Sequence, residues 1–395
     1  RILYVSPHGR DHWTGEHPEP TPDGTGPLAT ASAARDRIRR LKAAGPWPAG
    51  GIAVVFRGGV YPLAEPLRLG TEDSGAAGSP IRYSAFPGER PRWIGGCDLS
   101  SALRPIIDPE ILARLPAEVH ATARQIDLKT CGIASCGEWR PHGYYRRSIA
   151  PLELFHNGRP LTLARWPKKP PIPNRGYARI KSVENGWITF AAEAPLRWTG
   201  EGLQVDGYWK TDWATQAWSV TAFDGLRHRF RIDAEFNSGV TPTPGKRLYF
   251  FNVLEELRAP GDYVLDPLRN RVYVVLPEPD RPGELIASVL EEPLVILQEV
   301  SHVRFENLQI EGGRGDGVWV EGGESVAIAG CEIRNLGQDG IVLRRGANHS
   351  VLGCDVHQVG MRGVSIGAGD RKTLTPCGHR VHNCHLHHTA RRGKT

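Results

Sequence analysis

The chain has 395 residues, 40% of them hydrophobic, with 46 Gly, 32 Pro and 7 Cys, and a formal net charge of +6 at pH 7. That length can bury a large core and exceeds the usual size of one compact domain. The positive charge is spread over scattered Arg without an aromatic-spaced basic stripe, which argues against a nucleic-acid partner, and no apolar run approaches the ~18 residues of a membrane span.

Residues 1–140 read as an N-terminal cap followed by irregular coils. Ile2 to Ser6 is a first strand, and a long polar loop through Asp11, Trp13 and Asp23 follows it. Ala31 to Ala44 (ASAARDRIRRLKAA) has Ala34, Ile38 and Leu41 at helical spacing, with Thr30 as N-cap and Gly45-Pro46 as terminator. Its Arg face is expected to meet solvent, and its apolar face suits a plug on one end of a solenoid. Ile52 to Tyr61 reads as a buried strand and a Gly corner; Leu67, Ile81 to Phe86 and Trp93-Ile94 complete the first coils. Cys131 and Cys136 have no second pair at metal-binding spacing, which leaves a local disulfide open.

Residues 141–290 carry longer alternating strands bounded by Gly, Pro or Asn, as expected of an inserted antiparallel β domain. LELFHNGRPLTLARW (152–166) holds an Asn157-Gly158 hairpin signal. Seven of the 11 Trp lie between Trp139 and Trp218; they either pack this domain or offer flat faces to sugar rings.

Residues 291–395 repeat with a step of 23. Phe305, Ile328, Val351 and Val381 fall in one column, Leu308, Cys331, Cys354 and Cys384 in a second, and Ile310, Ile333, Val356 and Leu386 in a third. Val318, Ile341 and Val364, then Val320, Leu343 and Ile366, form two more. Apolar residues alternate in short runs separated by Gly-rich corners, so each copy is a set of short strands too small to bury its own face. The expected architecture is all-β, a parallel β-helix in which each copy is one coil. The stacked Cys column reads as free thiols filling the interior. The chain opens on Arg1 and stops within a coil, so it reads as a fragment with further coils beyond.

One column is chemically distinctive. Asp316, Asp339, Arg362 and Arg392 are each followed by Gly at the corner that begins the Val318 ladder. Carboxylates on adjacent coils stand about 5 Å apart, the separation of an acid and a nucleophile in retaining glycoside hydrolysis. The plainer reading makes each Asp-Gly a turn pair, with Gly supplying positive φ. An outward ladder flanks Ile310: Gln309, Glu332, Asp355 and His385 on one side, Glu311, Arg334, His357 and His387 on the other. Mixed signs suit cross-strand pairing or the wall of a saccharide groove. Arg362, Glu311, His357 and Trp319 are candidate substrate contacts, with Asp370 and Arg371 on the projecting insertion Gly367 to Gly378. His382, His385, His387 and His388 suggest a metal, but no carboxylate is spaced with them in the sequence, and none is expected. Calcium is the alternative cofactor, for which alternating Asp and Arg make a poor nest.

The segments YVSP, DGTGPLAT, ARDRIR and VVFRGGVYPL, with LELFHNGRPLTLARWP, FFNVLEEL, PGDYVLD, FENLQIEGGRGDGV and GDRKTLTPCG, resemble right-handed parallel β-helix proteins of the pectin-lyase-like group. More narrowly they resemble glycoside hydrolase family 141, whose members carry a β insert before the regular coils. The resemblance implies a carbohydrate-active protein on a plant or microbial polysaccharide, with family catalytic carboxylates on later coils than those present. The corner column also resembles polygalacturonases, departing where Asp339 is followed by Gly and where GMRG replaces a catalytic His. A polysaccharide lyase and a non-catalytic glycan-binding β-helix are the alternatives.

Overall fold

The computed structural model describes residues 1–143, 147–168, 176–193, 196, 198–232, 241–278 and 283–393. The chain divides into two compact units, one of Arg1–Gly96 with Ser288–Thr389 and one of Cys97–Ala287 with Ala390–Thr395. The first is a parallel β-helix of three sheets. Its first sheet orders Ile2–Val5, Ile52–Phe56, Ile81–Ala85, Val303–Glu306, Ala327–Ala329, Ser350–Leu352 and Arg380–His382. The second orders Gly59–Pro62, Pro91–Ile94, Gln309–Glu311, Glu332–Leu336, Asp355–Val359 and His385–His387. The third runs from Leu67–Leu69 through Val295–Gln298, Val318–Glu321 and Ile341–Arg344 to Val364–Gly367. The solenoid resumes at Val295, which pairs with Leu67 on one side and Val318 on the other.

The 23-residue step becomes strand register. Phe305 pairs with Ile328, Ile328 with Val351 and Val351 with Val381. Ile310, Ile333, Val356 and Leu386 pair in the same way, as do Val320, Leu343 and Ile366. Phe305 also stacks on Tyr83 at 5.1 Å and 11°, so the interior column continues across the interruption in sequence. Cys331 and Cys354 are buried and Cys384 half-buried, all as free thiols. Cys131 and Cys136 are free as well, and both pack in the core of the second unit rather than forming the local disulfide left open above.

Between the first and second sheets each coil turns on one left-handed residue: Asn307 at φ 59°, Gly330 at 61°, Gly353 at 59° and Asn383 at 52°. Only Gly and Asn take that conformation at little cost, which explains their shared column. His349, at the corner before Ser350–Leu352, is fully buried. Its Nδ1 accepts from Val326 N–H at 3.2 Å, and its Nε2 lies 3.1 Å from the Gly322 carbonyl. Burial, reinforced by the stacked ring of His379, pushes its pKa down to about 4. The unfolded chain therefore takes up this proton first as pH falls. Stability is expected to be fully present above about pH 6.5 and to be lost toward pH 4, by an amount of order 3 kcal/mol. Urea midpoints at pH 7.5 and 5 check this; H349N should flatten the difference.

Helix Ala31–Ala44 puts Ala31, Ala34 and Ile38 into the solenoid core. Thr30 Oγ1 accepts from Ala33 N–H at 3.0 Å and donates to Asp11 at 3.1 Å. T30A is expected to cost about 1 kcal/mol, read from the denaturant midpoint. The Arg face is less solvated than expected: Arg39 places two N–H groups on Asp73, both at 2.7 Å, and that carboxylate is buried.

The second unit begins at Cys97, within the stretch 1–140 that reads in sequence as the cap and first irregular coils. The reason is pairing: Arg124–Asp127 runs antiparallel to Arg271–Val274, far downstream. The hairpin at Asn157-Gly158 joins Leu154–His156 to Arg159–Pro160, with φ of 49° and 74° at the turn. An antiparallel set of strands surrounds Phe190, Trp209, Trp218, Phe230 and Phe250. Most of its Trp are core residues for the same reason: Trp166 and Trp198 pack against that cluster, while Trp213 is exposed.

Candidate functional site

The corner column lies between the second and third sheets. Asp316 is 5% exposed and Asp339 fully enclosed. One oxygen of Asp316 accepts the backbone N–H of Asp339 at 2.8 Å, and one oxygen of Asp339 accepts that of Arg362 at 2.9 Å. Each carboxylate thus bonds the same position one coil further along, and the carbonyls continue the ladder from Gly317 N–H to Asp339 and from Gly340 N–H to Arg362. The following glycines are required by space rather than by positive φ. A Cβ on Gly317 would meet the Gly340 carbonyl at 2.6 Å, and one on Gly340 the Gly363 carbonyl at 2.6 Å. The Arg362 guanidinium is largely exposed, 3.8 Å from Asp339. Both carboxylates are enclosed, and one oxygen of each is taken by a backbone N–H of the next coil.

The outward ladder of the second sheet is continuous with an earlier coil. Glu311, 3% exposed, accepts from Arg92 at 2.8 Å, from Arg334 at 2.9 Å and from Asn335 at 3.2 Å. Arg92 is invisible to the repeat because the second unit intervenes in sequence, although register puts Glu311 beside Ile94 and Gln309 beside Arg92. Arg334 also meets Glu332 at 3.1 Å. His357 beside Glu332 leads the interactions that hold that carboxyl down to about 2. Glu311 therefore organises two guanidinium groups and has little surface left for a ligand.

Further along the same face, Asp355 pairs in register with His385 and His357 with His387. Alternate residues on a strand share a face, so the four side chains form a square pointing outward. Asp355, His357 and His387 each bring one ligand atom within 4.8 Å of the others. The carboxylate missing from the linear reading of the histidines is supplied by the preceding coil.

The remaining candidates are dispersed. Trp319 points outward from the third sheet, half-buried, with its indole N–H on Glu321 at 3.1 Å. Asp370 and Arg371 lie on an exposed loop closed by backbone bonds between Asp370 and Thr375. The Asp370 carboxylate accepts Lys372 N–H at 2.8 Å, which draws its pKa down. In the second unit a cavity of about 470 Å³ is lined by Arg114, Trp198, Thr199, Glu255, Glu256 and Arg258 among others. Burial pushes the Glu256 carboxyl up, yet both carboxylates are spoken for: Glu255 by Arg114 at 3.0 Å, Glu256 by Arg258 at 3.2 Å and by the Trp198 indole at 3.3 Å.

The model of the right-handed beta helix region matches residues 293–393. Comparison with curated proteins gives no match. A solved structure described as "Glycoside hydrolase" superposes over 99% of this chain and 74% of its own, with a TM-score of 0.75 at 16% identity. Another, described as "The complex structure of XylC with xylose", covers 99% of this chain and 54% of its own, with a TM-score of 0.53 at 10% identity. These likenesses establish the fold, a right-handed parallel β-helix. Among the described residues no helix is long and apolar enough to cross a membrane.

Proposed function

We propose that this chain is an exported carbohydrate-active β-helix protein of the glycoside hydrolase type, acting on a plant or microbial polysaccharide. The observation that carries the reading is the unbroken outward wall from Arg92 to His387, in which Arg, Glu, Gln, Asp and His side chains stand in register over five strands of one sheet. Such a wall offers a row of donors and acceptors to sugar hydroxyls, and neighbours of the same fold include a glycoside hydrolase and a protein bound to xylose. In this reading the saccharide contacts are His357 on that wall, Trp319 on the third sheet, Arg362 at the corner, and Asp370 and Arg371 on the exposed loop. Glu311 holds Arg92 and Arg334 in place for it. Asp316 and Asp339 keep the corner folded rather than serving as acid and nucleophile.

The enclosure of those two carboxylates favours a second reading, glycan binding without turnover. Incubation of the chain with a panel of plant and microbial polysaccharides, xylan included, separates them. Hydrolysis is expected to release new reducing ends without an ultraviolet-absorbing unsaturated product. Unsaturated ends would indicate a lyase, saturable binding without product would establish the second reading, and neither binding nor product on any glycan would end both.

A further inference from the structure

The square of Asp355, His357, His385 and His387 has the geometry of a metal site on a β-sheet surface. We propose that it binds one divalent transition-metal ion of the zinc class, with Asp355, His357 and His387 as ligands. The inference does not depend on the carbohydrate reading. Two alternate residues on one strand and their register partners on the next stand at the corners of a small rectangle, one side set by the ~4.8 Å strand spacing. A tetrahedral ion with bonds of ~2.0–2.2 Å holds its donors roughly 3.5 Å apart. From within 4.8 Å, half-exposed side chains reach that spacing by rotamer adjustment alone.

The surroundings are those of a metal site. A histidine ligand is oriented by a partner on its other ring nitrogen. Glu332 stands 3.4 Å from His357 Nε2, and His388 stands 2.6 Å from His387 Nδ1, while His387 Nε2 faces Asp355 at 3.1 Å. The His357 and His387 rings lie parallel at 4.7 Å. Arg334, the register partner of His357, is the nearest cation on the adjoining strand, and it is drawn toward Glu311 and Glu332. His385, exposed, stands 3.5 Å from Asp355 at the fourth corner of the square. Two imidazoles and one carboxylate select zinc, copper or nickel, whereas calcium needs six to eight oxygens.

The test is titration of the chelator-treated chain with Zn²⁺ by calorimetry. One ion per chain is expected at micromolar Kd or tighter. H357A and H387A should each weaken binding at least tenfold, H382A on the first sheet should leave it unchanged, and millimolar Ca²⁺ should not compete. A measurement that needs no variant is carbethoxylation read by mass spectrometry: Zn²⁺ should protect His357 and His387 and leave His382 reactive. Absence of saturable binding, an unchanged Kd in the H357A/H387A double variant, or equal labelling with and without Zn²⁺ would each overturn the proposal.

Discussion

Replacing Glu311 by Ala should destabilise the solenoid by about 2–4 kcal/mol. Removing one member of a buried ion pair typically costs about 3–5 kcal/mol because the other charge is stranded. Here Arg92 and Arg334 are each about a fifth exposed, and water reaching them reduces the penalty. For a unit of this size the loss corresponds to roughly 5–15 °C in melting temperature. E311Q keeps one acceptor oxygen and should cost about half as much. A double-mutant cycle with R92A measures the coupling directly; a cycle energy near zero would mean that the Arg92 contact does not help hold the second sheet together. Because Arg92 and Glu311 come from coils on either side of the second unit in sequence, the same experiment reports whether the two chain segments of the solenoid unfold as one body.

The second large effect belongs to Asp339. D339A removes the acceptor of the part-buried Arg362 N–H; an unsatisfied buried donor costs about 1–3 kcal/mol, and partial access of water places the expected loss at about 1–2 kcal/mol. D339N retains an acceptor in the same place, so its cost should stay below about 1 kcal/mol, as read from urea midpoints. On any glycan the chain is found to cut, D339N is expected to turn over within about threefold of the unsubstituted protein. Loss of a general acid or base would instead lower the rate by about 10²–10⁴. A loss of that size at unchanged stability would return Asp316 and Asp339 to catalysis.

The coils were readable without coordinates because a solenoid converts spacing along the chain into adjacency in space. Once Phe305, Ile328 and Val351 shared a column in a 23-residue frame, their pairing followed, and the Gly-rich corners marked the turns between the short strands. The Asn157-Gly158 hairpin was legible for a similar reason, since a two-residue turn of that type constrains only its immediate neighbours. The candidate site was legible as a set of columns, but not in its chemistry. Asp316 and Asp339 form a pair in sequence, yet whether a carboxylate on a corner faces a groove or the next coil's backbone depends on side-chain direction, which periodicity does not encode.

By itself the sequence determined the repeat, the inward columns, the free thiols in one of them and the outward ladder of mixed charge, all of which depend on local spacing. Only the tertiary structure decided what crosses between segments that lie far apart in the chain: Arg92 on Glu311, Tyr83 on Phe305, and Arg124–Asp127 on Arg271–Val274. The physical reason is the same in each case. Side-chain hydrogen bonds and ion pairs act over about 3 Å, and a one-dimensional pattern carries that distance only where the step between partners is constant.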